Sequence, residues 1–416
     1  MRRYIFNIVS VALALVALSA CSNDSDGGGT GGTPEVRYVR PCDADASDSL
    51  LTSGYLGNQI VLIGEHLAGV NQIYFNDQKA KLNPNFITDN AIIVTIPQGI
   101  PGEKQDLIKL YTTNDSCYYT FETKVPAPTV NSMTCEYVLA GDIAYIQGLY
   151  FVDDEGTPLK VTFSNGAEAE IVTQDLNNLA VKVPAGAQSG PVTVTSVYGA
   201  TESSFWFRDN RNIILDFNSD NYPDYGYYFG WTGGAGVGTD GAINGNYLIL
   251  GDGAALDDET WNDGKFGYQR WSYRQTDPDF FNAGALDKYV LKFEVNVQGW
   301  SSSALQVIFT GAEEVWMNWQ EDSSGGNPNN AYMSDKTYPR ALWIPWSATG
   351  SFSTDGWITV TIPLTDFKYN NEGADVGMKA AGHYSGITLF VNGGGVKGTP
   401  CTPTFHIDNV RVVSAQ

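Results

Sequence analysis

Ten tryptophans dominate the side chains that could meet a ligand, and all but Trp206 lie beyond residue 209. An indole face stacks on the C–H face of a sugar ring, and neighbouring amides bond the ring hydroxyls. The run Val315–Gln320 carries that combination. Strand alternation puts Trp316, Asn318 and Gln320 on one face and Val315, Met317 and Trp319 on the other. In Ala341–Trp346, Trp343 lies opposite Leu342 and Ile344, which predicts an exposed ring, while Trp346 falls on the core side. In Trp357–Ile362, Ile358, Val360 and Ile362 read as core, and Trp357 sits with Thr359 and Thr361. The others fall in loops or at loop edges. Trp231 sits in a Gly-rich stretch, Trp261 follows Asp257-Asp258-Glu259, and Trp271 shares a face with Tyr273. Trp300 sits in the turn Gln298-Gly299-Trp300-Ser301-Ser302-Ser303. Such a turn does not bury a Trp by default, so Trp300 is expected at a binding surface.

Other chemistries find few residues to work with. Only His66, His383 and His406 are present, which disfavours a His relay or a His-rich metal centre. There is no C-x-x-C pair and no His/Cys cluster, so zinc is not expected. The Asp-rich stretches 216–224 and 252–263 could offer oxygen ligands to a structural Ca²⁺, but neither has the Asp-x-Asp-x-Asp-Gly spacing of a calcium loop. No cofactor is expected. A glycosidase needs two carboxyl groups roughly 5–10 Å apart. Glu313 and Glu314 are adjacent and point to opposite faces, and the acidic run before Trp261 has no evident partner. No Gly-x-Ser-x-Gly elbow is present, so the chain is not expected to be an enzyme. A formal charge of −22 opposes binding to nucleic acid or to anionic lipid headgroups. Charged residues are only 17%, against 45 Gly, 23 Tyr and 19 Phe, which suits β-structure meeting a neutral ligand.

The elements that must position these residues are short strands. The 416 residues suit two to four domains. An internal repeat occupies the first half. Gly57-Asn58-Gln59-Ile60-Val61-Leu62-Ile63-Gly64 is echoed by Gly141-Asp142-Ile143-Ala144-Tyr145-Ile146-Gln147-Gly148. Ile73–Asp77 is echoed by Val161–Asn165, and Ile93–Pro97 by Ala180–Pro184. The offsets are 84, 88 and 87 residues, so two units of about 85–90 residues are stacked, and turn signals recur every 8–12 residues, the pattern of an Ig-like sandwich. Val125-Pro126-Ala127-Pro128 joins the two units through a stiff, extended segment. Residues 209–416 show no helix-period stretch and predict one larger β-sandwich, opened by Ile213–Phe217 and closed by Phe405–Val412.

At the N-terminus, Arg2-Arg3 and an apolar run to Leu18 form a secretory signal, too short for a stable membrane span. Leu18-Ser19-Ala20-Cys21 resembles the bacterial lipobox. That resemblance implies cleavage before Cys21 and a lipid on it. Residues 22–33 are rich in Gly, Ser and Thr and read as a flexible tether. Asp24 and Asp26 resemble the acidic signal that sends lipoproteins to the outer face of the outer membrane. Cys42, Cys117, Cys135 and Cys401 remain and allow three pairings, of which Cys42 with Cys117 joins the first and last strands of one domain.

The G–x(6)–G string, the Phe-Asn/Ser turn and the Val/Ile-Pro of each repeat resemble the IPT/TIG Ig-like domain over roughly residues 34–208. The expected organisation is a signal peptide at 1–20, a tether at 21–33, IPT/TIG domains at 34–124 and 125–208, and a jelly-roll-like carbohydrate-binding β-sandwich at 209–416, all-β throughout. The complete arrangement resembles the surface glycan-binding protein B type of lipoprotein from polysaccharide utilisation loci. The resemblance implies a monomer held to the outer membrane by its lipid alone. It implies capture of a neutral β-glucan or hemicellulose, such as xyloglucan or mixed-linkage glucan, beside a SusD-like lipoprotein and a TonB-dependent transporter. It also implies spacer roles for the Ig-like domains and a platform of two or three aromatics in the last domain. By position these are Trp261, Trp271 and Trp300, with Tyr273 beside Trp271, and with Trp316, Asn318 and Trp343 as the sheet-face alternative. An adhesin built of Ig-like units, or less simply a glycoside hydrolase, stands as the alternative reading.

Overall fold

Alternating apolar residues pair into mostly antiparallel sheets in the computed structural model, which describes residues 32–218, 236–316, 326–379 and 382–415. Cys21, Trp231, Asn318 and Trp319 lie outside these residues. The chain divides into two compact units at Pro126/Ala127.

The first unit contains β1 (Glu35–Pro41), β2 (Ser53–Tyr55), β3 (Gln59–Glu65), β4 (Gln72–Phe75), β5 (Gln78–Lys79), β6 (Ala91–Thr95), β7 (Leu107–Tyr111), β8 (Ser116–Thr120) and β9 (Glu122–Lys124). Two sheets, β1-β3-β6 and β5-β4-β7-β8, supply the core residues Ile60, Leu62, Ile73, Phe75, Ile92, Ile108 and Leu110, and β2 pairs with β9.

The second unit begins with the other repeat: β10 (Thr129–Met133), β11 (Ile143–Leu149), β12 (Lys160–Thr162), β13 (Glu170–Gln174), β14 (Asn178–Lys182), β15 (Gly190–Ser196) and β16 (Gly199–Phe207). Its sheets run β10-β11-β14-β13 and β12-β15-β16. The echoed strings fall on equivalent strands, β3 on β11, β4 on β12 and β6 on β14. The pairing β1-β3-β6 is repeated as β10-β11-β14, and β4-β7-β8 as β12-β15-β16. Two similar sequences therefore close two similar sandwiches, each on its own core; that of the second holds Ile146, Phe151, Phe163, Val181, Val194 and Phe207.

The rest of this unit is a larger two-sheet sandwich. Its strands are β17 (Ile213–Leu215), β18 (Gly236–Gly238), β19 (Tyr247–Leu250), β20 (Gly267–Arg270), β21 (Tyr289–Gln298), β22 (Ala304–Thr310), β23 (Ala341–Trp343), β24 (Ile358–Pro363), β25 (Gly386–Asn392) and β26 (Thr404–Ser414). The first sheet runs β18-β19-β26-β21-β24, with β17 also beside β26; the second runs β20-β25-β22-β23. Leu291, Phe293, Val295, Ile407 and Val412 of one sheet meet Leu305, Val307, Phe309, Ile387 and Leu389 of the other in one core.

The two sandwiches of this unit are joined by a buried network of charges. Arg411, fully buried on β26, donates through Nη1 to Glu294 Oε2 at 2.8 Å and through Nη2 to Glu136 Oε2 at 2.6 Å. Lys292 Nζ reaches the other oxygen of Glu136 at 2.5 Å. The Glu136 amide donates to Thr359 Oγ1, the Thr359 amide donates to the Thr134 carbonyl, and the Tyr137 hydroxyl donates to the Asp209 carbonyl. Glu136 follows β10 in the Ig-like sandwich, whereas its partners belong to the sandwich that follows. Burial raises the pKa of Glu294, opposed by the adjacent Arg411.

No disulfide joins the four described cysteines: Cys42, Cys117, Cys135 and Cys401 are all free thiols, so the Cys42–Cys117 pairing is absent. Cys135 is buried in the joint between the sandwiches, where burial pushes its thiol pKa up.

Candidate functional site

The tryptophans divide by the face of sheet they occupy. On β25, Ile387, Leu389 and Val391 enter the main core, which turns Thr388, Phe390 and Asn392 to the outer face of the second sheet. Phe390 lies opposite Gln306 of β22, and Gln306 lies opposite Leu342 of β23. Trp261 rests on Phe390, with ring centroids 4.8 Å apart and planes at 61°. It keeps 46% of its surface in solvent, more than any other described Trp.

The loop that presents Trp261 is held at several points. Asp257 Oδ1 accepts the amides of Glu259 and Thr260 and, at 2.6 Å, the Thr260 hydroxyl. The Thr260 hydroxyl is the main reason that the Asp257 pKa lies below its usual value. Asp258 accepts from the Ser302 hydroxyl at 2.6 Å and from the Gly398 amide. Asn392 Nδ2 donates to the Thr260 carbonyl at 2.9 Å, tying the loop to the sheet beneath it. Asn262 then caps the short helix Asp263–Phe266 by accepting from the Lys265 amide. The acidic run before Trp261 thus fixes a loop. Among the described residues, no cluster of His, Cys, Asp and Glu is arranged to hold a metal.

Further along the same face, Trp271, Tyr332, Met333 and Ile308 pack beside Phe390. Trp271 Nε1 donates to the Tyr332 hydroxyl at 2.8 Å, and that hydroxyl is shared with Thr388 Oγ1. Burial pushes the Tyr332 pKa up to about 12, so it remains protonated. Arg340, fully buried, donates to Gln306 Oε1 and to the carbonyls of Tyr332, Met333, Asp335 and Tyr338. One side chain thereby gathers the segment that covers Trp271.

The structure corrects several expected positions. Trp271 and Tyr273 are 2% and 5% exposed, leaving no ring face open for stacking. Trp300 is fully buried within the core, with Trp343 at 5.3 Å and Phe405 at 4.9 Å, and its Nε1 donates to the Ser302 carbonyl. Positive φ at Gly299 and Ser303 turns the segment so that the indole points inward. Trp343 pairs with Leu305, a core residue, and therefore shares its inward face. It packs on Phe293 and Phe352 and is half-buried. Trp316 is half-buried in bridges to Ser272 and Asn327. Of the expected platform, the structure therefore brings Trp261 to an open surface, leaves Trp316 partly open, and puts Trp271, Tyr273, Trp300 and Trp343 into packing.

A cleft of about 260 Å³ opens at the joint between the two sandwiches, lined by Glu136, Lys292, Arg211, Thr359 and Thr361. Its charges are already paired, Lys292 with Glu136 and Arg211 with Asp209. No exposed aromatic ring lines it, so a sugar would find nothing there to stack on.

Residues 207–414, half the chain, match the family model described as the surface glycan-binding protein B xyloglucan binding domain. The chain belongs to the surface glycan-binding protein B family. A solved surface glycan-binding protein B from Prevotella bryantii is 29% identical, superposes with a TM-score of 0.72, and covers 92% of this chain and 99% of its own. An IPT/TIG domain-containing protein of Bacteroides ovatus is 25% identical over 240 residues, 53% of this chain. That stretch is 48% of the relative, so the chain spans about half the length of this curated protein. In this chain the matched residues form the larger sandwich that carries Trp261.

Proposed function

We propose that the chain is a non-catalytic cell-surface protein that captures a neutral plant-type polysaccharide, xyloglucan or a mixed-linkage β-glucan. Trp261 carries this reading: an open indole, braced by Phe390 and a tied loop, on the domain that matches the xyloglucan-binding family. Trp316 and the segment holding Asn318 are the further contacts we assign to it. The anchor is a lipid on Cys21, the location is the outer face of the outer membrane, and the captured chain passes to a SusD-like lipoprotein and a TonB-dependent transporter.

The non-catalytic part of the reading draws on the state of the carboxylates. Asp257 and Asp258 are engaged in holding the loop. Glu314 is paired with Lys379 at 2.7 Å and accepts the Gly311 amide. Glu313 accepts the His383 amide. These four acids are thus engaged in structural contacts.

A few stacking contacts with their hydrogen bonds give a dissociation constant on the order of micromolar to millimolar, raised in effect by many copies on one polymer. Affinity electrophoresis of the full chain in gels containing xyloglucan, mixed-linkage glucan, xylan or mannan tests the reading, with an acidic glycan as control. Retardation by one neutral polymer is expected. Trp261→Ala is expected to weaken it about tenfold, the scale of one lost stacking platform, with a small fall in melting temperature from the packing lost over Phe390. A folded protein retarded by none of the polymers would remove the neutral-glycan reading.

A further inference from the structure

We infer that the first sheet of the large sandwich carries a second contact surface for the same polymer, built on Trp357, His406, Asn296 and Gln298; this rests on the neutral-glycan reading above. The outer face of that sheet has two halves. Lys292, Glu294 and Arg411 occupy the half closed by Glu136 of the Ig-like sandwich. Along the same strands, Asn296 pairs with His406 and Gln298 with Thr404, and these side chains remain half-buried or exposed.

An aromatic cluster lies on this open half. Tyr247 and His406 lie 4.5 Å apart with planes tilted by 31°. Trp357 is 5.4 Å from Tyr247 and 6.2 Å from His406. Trp357 Nε1 donates to the Gly241 carbonyl at 2.9 Å, and the Tyr247 hydroxyl donates to the Asp240 carbonyl at 2.8 Å, so both rings are fixed in advance. Rings already fixed lose little side-chain freedom when a ligand stacks on them. Trp357 and His406 are each partly open to solvent.

Beside the rings lies an ordered set of neutral polar groups. Gln298 Nε2 donates to Asn296 Oδ1 and to the Thr354 carbonyl, and Thr354 Oγ1 donates to the same Asn296 oxygen. This fixes both amides and leaves Asn296 Nδ2 as a donor and Gln298 Oε1 as an acceptor. A donor and an acceptor beside a ring face are what vicinal hydroxyls of a pyranose require. Burial lowers the His406 pKa, which keeps the imidazole neutral near pH 7. The rings and amides themselves carry no charge, and the carboxylate that acts on His406, Asp252, is anionic, which matches a neutral polysaccharide better than an anionic lipid headgroup.

Trp261 lies on the other sheet, so one short oligosaccharide need not engage both surfaces, whereas a polymer gains from both. The test compares the full chain with Trp357→Ala and with the double variant N296A/Q298A, in gels containing the polymer that the wild type binds and by calorimetry with a short oligosaccharide of it. Circular dichroism and the melting temperature check the fold. Trp357→Ala is expected to weaken polymer binding threefold to tenfold and oligosaccharide binding by less than twofold, and the amide variant is expected to follow the same pattern should Trp357→Ala fold poorly. Trp261→Ala should weaken both ligands. Polymer binding within twofold of wild type in both test variants, alongside a clear loss in Trp261→Ala, would overturn the second surface and leave the glycan reading standing. A wild type that binds no neutral polymer would overturn both.

Discussion

Trp300→Ala is expected to destabilise the large sandwich by about 3–5 kcal/mol, the range for removing a fully buried Trp from a core. The indole touches Trp343, Phe352 and Phe405, so its loss opens a cavity at the centre of an aromatic cluster. It also leaves the Ser302 carbonyl without its donor. In a domain of this size that corresponds to a fall in melting temperature of roughly 10 °C. At a temperature where the variant is still folded, its glycan affinity should stay within twofold of wild type, because no face of Trp300 reaches solvent. Thermal denaturation together with calorimetry against the bound polymer separates the two effects. A folded Trp300→Ala protein with more than tenfold weaker binding would return Trp300 to the contact surface.

Arg411→Met should cost about 3–5 kcal/mol, as when one partner of a buried ion pair is removed. Glu294 would then lie buried with Thr359 as its remaining hydrogen-bond donor and the Glu136 carboxylate as an uncompensated neighbour, and Glu136 would keep the Lys292 ammonium as its ion-pair partner. Adding Glu294→Gln should recover much of the loss, since most of the cost lies in the stranded charge rather than in the absent contact. Urea denaturation of the single and double variants measures the coupling. A single variant within about 0.5 kcal/mol of wild type, the range of an ordinary surface change, would show that the network does not hold the two sandwiches together.

Part of this structure was legible in the sequence. The repeat was, because matching strings in the same order at similar offsets point to matching sandwiches, and β3 with β11 and β6 with β14 occupy equivalent places in their sheets. Trp261 was also legible as a loop residue after an acidic run. Trp343 shows where strand reasoning stops. Alternation correctly set it opposite Leu342, but a period of two does not say which face is the core, and only the pairing with Leu305 decides that. Trp300 departs from its expected place for a related reason. Its small polar neighbours suggested an exposed turn, yet those serines bond inward to Asp258 and to the Thr399 carbonyl, and two residues with positive φ aim the indole at the core. Alternation sets Trp357 beside Thr359 and Thr361 and carries no sign of a site. Its partners Tyr247 and His406 come from two other strands. The joint at Arg411 was not legible at all, since Glu136 and Arg411 are 275 residues apart.

That joint also bears on how such proteins can be recombined. A gene fusion that takes the sandwich from residue 209 onward would carry Lys292, Glu294 and Arg411 into a new host without Glu136, and would expose a face whose charges are buried in this chain. A crossover between Pro126 and Ala127 keeps the whole set together. The unit that keeps these charges paired is therefore a pair of sandwiches, and an Ig-like domain that looks like a passive spacer serves as part of the larger sandwich's foundation.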